Sequence, residues 1–104
     1  MRTKSVSETS SIPANVRKLS DEQRRIVKET IAEQLASGAI TMGEGIRLMR
    51  LSVGMTQAQY AEMAGVDIRI LAAIEKGEGN PRLDTLQKLA KPYGFTISFV
   101  KANG

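Results

Sequence analysis

Residues 56–77 read TQAQYAEMAGVDIRILAAIEKG, and the order of caps and stops in this stretch decides the fold. Thr56 followed three residues later by Gln59 makes a capping box, so a short helix opens here. It runs to about Ala64. Gly65 stops it, because the residue that turns a chain sharply out of a helix takes a positive φ, which glycine adopts without a Cβ clash. Asp67 is the next N-cap, for a helix to about Lys76, and Gly77 ends that one. Ala61 is small, so the second helix crosses closely over the first. Val66, Leu71 and Ile74 are spaced to face inward and lock the pair.

The same punctuation continues outward. Thr41 and Glu44 form a second capping box, for a helix to about Val53 that Gly54 ends. Ser20 and Gln23 form a third, opening an amphipathic helix with Ile26, Val27, Ile31 and Leu35 on one face. Ser37-Gly38 stops it, and its stripe must be buried on the following domain or on a second chain. Downstream, Gly77-Glu78-Gly79-Asn80-Pro81 is a loop. A helix over about Leu83 to Lys91 follows, with Leu83, Leu86, Leu89 and Ala90 inward, closed by Pro92 and Gly94. Met49, Met55, Tyr60 and Met63 are read as core. Finally Phe95-Thr96-Ile97-Ser98-Phe99-Val100 alternates apolar and polar, the pattern of a half-buried strand.

A single strand is not stable alone, and no second strand is legible in the chain. The expected arrangement is a two-stranded sheet across a two-fold axis, with Phe95, Ile97 and Phe99 as the dimerisation face. The competing expectation is that the strand packs on its own domain.

Composition narrows the chemistry. The chain has 104 residues, 41% of them hydrophobic, which suits one domain and a tail. It has no Cys and no His. That removes disulfides, thiolate metal sites, nucleophile–His triads and zinc centres. With no clustered carboxylates either, an enzyme is not expected, and neither a metal nor a cofactor is implied. Net charge is +4, which mildly favours anionic partners. Residues 1–20 carry four basic residues against one acid, so the N-terminus is the most basic part. Residues 1–19, rich in Ser, Thr, Lys and Arg without periodicity, read as a disordered tail. No apolar run approaches the ~18–20 residues needed to span a bilayer, and no secretory signal is present. A cytoplasmic location without membrane contact is the expectation.

Two short helices joined at a wide angle make helix-turn-helix geometry, which lays the second helix along the DNA major groove. Residues 45–94 resemble the Cro/CI (XRE-like) helix-turn-helix family of phage and bacterial repressors. The residues that carry the resemblance are Ile46, Met49-Arg50, Met55-Thr56-Gln57, Ala61, Gly65-Val66, Leu71, Ile74-Glu75-Lys76-Gly77, Asn80-Pro81, Leu86 and Leu89-Ala90.

The resemblance implies an all-α, lambda-repressor-like bundle at 41–94. To this the chain adds an extra N-terminal helix at 20–38 and a short C-terminal β-strand at 95–104. It implies that Gln57 hydrogen-bonds a backbone phosphate, with Thr56 capping its helix so that nearby N–H groups face phosphate. It implies that Ile68, Arg69, Ala72 and Ala73 read bases, and that Arg50 and Glu75 form a structural ion pair. Lys76 and Arg82 are further phosphate candidates. The recognition helix departs from the family in offering one long donor, Arg69, where Gln, Asn, Ser, Thr or Arg usually recur. Arg82 likewise stands where the family often has a capping Ser or Thr. Two functions follow as expectations. One is a homodimeric repressor on a palindromic operator, blocking polymerase by occupancy of double-stranded DNA. The alternative is an antitoxin whose N-terminal extension neutralises a toxin protein while the same motif autoregulates.

Overall fold

The computed structural model describes residues 19–102. The expected tail at 1–19 lies, apart from Leu19, outside the described residues. Five α-helices follow in order: α1 Asp21–Ser37, α2 Met42–Ser52, α3 Gln57–Ala64, α4 Ile68–Lys76 and α5 Leu83–Ala90, with a 3-10 turn at Lys91–Tyr93. Among the described residues no helix is long and apolar enough to cross a membrane.

Each of the first three helices starts on a reciprocal box. Ser20 Oγ accepts from the Gln23 amide and Gln23 Oε1 accepts from the Ser20 amide. Thr41 with Glu44 and Thr56 with Gln59 repeat the pattern. Such caps satisfy amides that a helix leaves orphaned and contribute about 1 kcal/mol each. Arg82 starts α5 without a side-chain cap, so α5 depends on its packing.

The core is aliphatic around one aromatic ring. Ile46, Met49, Tyr60, Ala61, Leu71, Ile74 and Leu89 form a buried cluster drawn from α2, α3, α4 and α5. Tyr60 is fully buried, and its hydroxyl donates to the Leu89 carbonyl at 2.7 Å. That bond supplies the partner a buried polar group requires. Helix α2 approaches α4 so closely that a Cβ on Gly43 would collide with the carbonyl oxygen of Ile74. Helix α1 lies on α2 and buries Ile31 and Gln34, with Val27 and Leu35 half-buried, so its stripe is covered in part within the chain.

Three expectations about packing need correction. Leu83 is exposed, because α5 begins beyond the edge of the core, and only Leu89 and Ala90 of its apolar row are buried. Met63 faces solvent on α3. Ile26 is about half exposed, at the edge of an α1 stripe whose fully buried residue is Ile31.

The C-terminal β-strand is also corrected: no strand exists among the described residues, and 95–102 carry no regular secondary structure. A strand is defined by a hydrogen-bonded neighbour, and none is present. Instead the Phe95 amide donates to the Ala90 carbonyl at 3.1 Å, continuing the turn that closes α5. The Phe95 ring meets Tyr93 edge-on, centroids 5.2 Å apart. Lys28 of α1 sets its ammonium 5.8 Å from the Tyr93 ring and 5.7 Å from that of Phe95, within cation–π range. The apolar alternation thus records an extended segment with one side on helices. It ends at Ile97, for Phe99 is wholly exposed.

Candidate nucleic-acid interface

Helices α3 and α4 are joined by a tight connection closed by two backbone hydrogen bonds. Gly65, at φ 75°, donates to the Glu62 carbonyl at 3.2 Å, and Val66 donates to that of Ala61 at 2.9 Å. This pair of bonds reverses the chain at once and drops Val66 onto the core. The turn fixes where α4 begins. Asp67 Oδ1 then caps α4 by accepting from the Arg69 amide at 2.7 Å.

The far end of α4 is held by a buried carboxylate. Glu75 takes a fork from Arg50, Nε to Oε2 at 2.8 Å and Nη2 to Oε1 at 3.0 Å, with side chains only 11% and 4% exposed for Arg50 and Glu75. Arg50 Nη1 donates to the Met55 carbonyl at 3.0 Å. Gln57 Nε2 donates to Glu75 Oε1, also at 3.0 Å. One carboxylate therefore gathers α2, the link after it, the first residue of α3 and the last turn of α4. A buried charge with this many partners fixes orientation more than it adds stability.

The outer face of α4 carries the remaining candidates. Ile68 is about half exposed. The Arg69 side chain is 87% exposed, and Lys76 is exposed. Ala72 and Ala73 are half-buried and keep the helix surface low between them. Arg69 and Ala73 share an open cleft of about 510 Å³ with Arg82, across the loop. Arg82 is exposed, and its Nε donates to Asp84 Oδ1 at 3.2 Å. Thr56 is exposed and committed to its capping box.

Arg69 does not extend freely. Its Nε donates to Asp67 Oδ1 at 3.1 Å and its Nη2 to Asp67 Oδ2 at 2.9 Å. Hydrogen bonds from the Arg69 side chain and amide hold the Asp67 carboxyl well below the usual carboxylate range, at about 2. Sequence reasoning missed this pair, although an Asx cap two residues before an arginine was a readable signal. It also missed the Gln57–Glu75 bond, which joins residues 18 positions apart and has no local signature. Ile70 is a third omission, half exposed and lining the same cleft as Arg69. Of the expected dimerisation residues, Phe95 and Ile97 are half-buried and Phe99 is exposed.

Comparison with known proteins falls on this same region. A family model described as "Helix-turn-helix" matches residues 46–100. An uncharacterised HTH-type transcriptional regulator of Haemophilus influenzae is 45% identical over 51 residues, 49% of this chain and 52% of the relative. The immunity repressor protein of Bacillus phage phi105 is 36% identical over 61 residues, 59% of this chain and 42% of the relative. The cryptic phage CTXphi transcriptional repressor RstR of Vibrio cholerae is 40% identical over 53 residues, 51% of this chain and 48% of the relative. The chain spans about half the length of these relatives. No solved structure gives a significant match. The match covers α2 through the C-terminal segment, and within it lie the turn at Gly65, the lock at Glu75 and the outward face of α4: this chain belongs to the Cro/CI (XRE-like) helix-turn-helix family.

Proposed function

We propose that this protein is a sequence-specific DNA-binding transcriptional repressor. It acts as a homodimer on a palindromic operator and excludes polymerase by occupying promoter DNA. The observation that carries this reading is the fixed pose of α4. Its first turn is capped by Asp67, its last is locked through Glu75 to Arg50 and Gln57, and its outer face turns Ile68, Arg69 and Lys76 to solvent. A helix presented this way, on a chain of net charge +4, suits the major groove of a polyanion. The relatives bear the names of transcription regulators and repressors, and this chain is a regulator of that kind rather than an enzyme.

In this reading Arg69 reads a base, and Ile68, Ala72 and Ala73 pack on groove edges. Phosphates are met by Thr56, Gln57, Lys76 and Arg82, Gln57 through the amide hydrogen that Glu75 leaves unused. Phe99 and Val100, the most exposed large apolar residues, are covered by a second copy, which sets two α4 helices about 34 Å apart, one DNA turn. The site of action is the cytoplasm.

The test is a footprint and gel shift with the full chain on DNA upstream of its own start codon and on a randomised duplex library. A protected, two-fold symmetric sequence is expected. Absence of any protected fragment overturns the proposal. The antitoxin alternative is separated by purification from native cells: it requires a small companion protein that is lost when residues 1–38 are deleted, whereas the repressor reading has the chain isolated alone and binding DNA.

A further inference from the structure

We infer that Asp67 is a specificity-determining residue: it holds the Arg69 guanidinium by one edge, so that the other edge is presented ready-formed to a guanine. This rests on the operator-binding reading and adds to it a residue that touches no base.

A guanidinium is planar and offers two distinct pairs of N–H groups. Nε with one hydrogen of Nη2 forms the side edge. Nη1 with the second hydrogen of Nη2 forms the end. Asp67 occupies the side edge through both its oxygens, at 3.1 and 2.9 Å. The end pair has no partner among the described residues. Two parallel N–H groups are what guanine O6 and N7 accept, and the end pair remains available for that. The carboxylate is itself anchored, because Oδ1 also accepts the Arg69 amide at 2.7 Å. Backbone, carboxylate and guanidinium thus close one ring at the first turn of α4.

Two consequences follow. An unrestrained arginine must lose rotamer freedom when it docks on a base, and the pair with Asp67 takes up part of that loss beforehand. Equally, a restrained guanidinium cannot swing to a phosphate as easily, so non-cognate DNA gains less from it. The Asp67 charge adds repulsion toward any phosphate brought close. Both effects widen the gap between cognate and random DNA, and a gap of that kind is what specificity is. This resolves the scarcity of polar groups on α4: one donor discriminates well when its orientation is set in advance.

The experiment uses the full chain and the duplex it selects from a randomised library. Arg69→Ala first identifies the guanine whose replacement by adenine no longer matters. Asp67→Asn and Asp67→Ser are then compared with the wild type on both duplexes and on random DNA. Each keeps a capping oxygen, so a folded variant is secured by either. Preference for guanine at that position is expected to fall roughly two- to five-fold, the scale of an exposed ion pair, while affinity for random DNA holds or rises. The fall is absent when Arg69→Ala is already in place. Unchanged or sharper guanine preference in both variants overturns the inference while leaving the operator reading intact. A wild-type chain that selects no sequence overturns that reading and this inference with it.

Discussion

Arg50 and Glu75, 25 residues apart in sequence, meet edge to edge, Nε to Oε2 at 2.8 Å and Nη2 to Oε1 at 3.0 Å, almost wholly out of water. The pair couples the helix that builds the core to the helix that faces outward. Removing one partner leaves the other charge buried and uncompensated. Arg50→Ala is therefore expected to cost about 3–5 kcal/mol, read as a lower urea midpoint. Arg50→Met with Glu75→Leu should recover much of that loss. A single variant as stable as the wild type would mean that the pair is solvated in solution.

Gly43 sets the distance between α2 and α4. Gly43→Ala places a methyl group against the Ile74 carbonyl, and the backbones must separate. A loss of about 1–3 kcal/mol is expected, the usual range for overpacking. Because the collision is with the backbone of α4, affinity for the selected duplex should fall as well. An alanine variant with unchanged melting and binding would show that the contact relaxes without strain.

Tyr60 gives the protein an alkaline limit. Burial raises its phenol from 10.0 to about 12. An unfolded tyrosine ionises near 10, so stability is complete below that pH and is lost as pH rises toward 12. At ~1.4 kcal/mol per pKa unit the full loss is about 3 kcal/mol. Denaturation midpoints measured from pH 8 upward should fall beyond pH 10. Tyr60→Phe should be less stable at neutral pH, having lost the bond to Leu89, yet decline less above pH 10. Equal declines would assign the effect to other groups.

Phosphate and base contacts differ in how they respond to salt. Lys76→Ala and Arg82→Ala should each weaken binding on every sequence and reduce the slope of log affinity against log salt by about 1. Gln57→Ala should weaken binding uniformly too, and with it loosen the start of α3, where its amide holds Glu75. An unchanged slope would remove the residue concerned from the phosphate set.

Phe99 is the test of assembly. Phe99→Asp alters a side chain with no cover in the isolated chain, so its effect on folding should be within about 0.5 kcal/mol. Light scattering should nevertheless report a monomer for this variant and a dimer for the wild type. A dimeric variant would rule out Phe99 as the contact.

The five helices of the described residues were legible because their signals are local. Ser20/Gln23, Thr41/Glu44 and Thr56/Gln59 are pairs three residues apart, and Gly65 and Gly77 end helices by their own backbone preference. The C-terminal segment was misread for the opposite reason. Alternation at Phe95 and Ile97 reports a buried side, but a strand needs a neighbour elsewhere, and here the covering surface is helical. Leu83 satisfied the helical period yet lies past the edge of the core, which period cannot reveal. In the site, the residue types on α4 were readable. What Gln57 grips was not, since Glu75 lies 18 positions away and only the fold brings it there, whereas the grip of Arg69 on Asp67, two residues off, left a local signal that went unread.

Lys28 of α1 rests over Tyr93 and Phe95, just beyond α5, and so α1 and the segment that follows α5 clasp each other. Ser52 joins the same corner through the Tyr93 hydroxyl at 2.9 Å. The portable unit of this protein is then longer than the stretch it shares with its relatives. Cutting at residue 41 to isolate the shared motif would strip the cation from both rings and uncover the flank of α2, so a graft of the motif into another scaffold should carry α1 along with it.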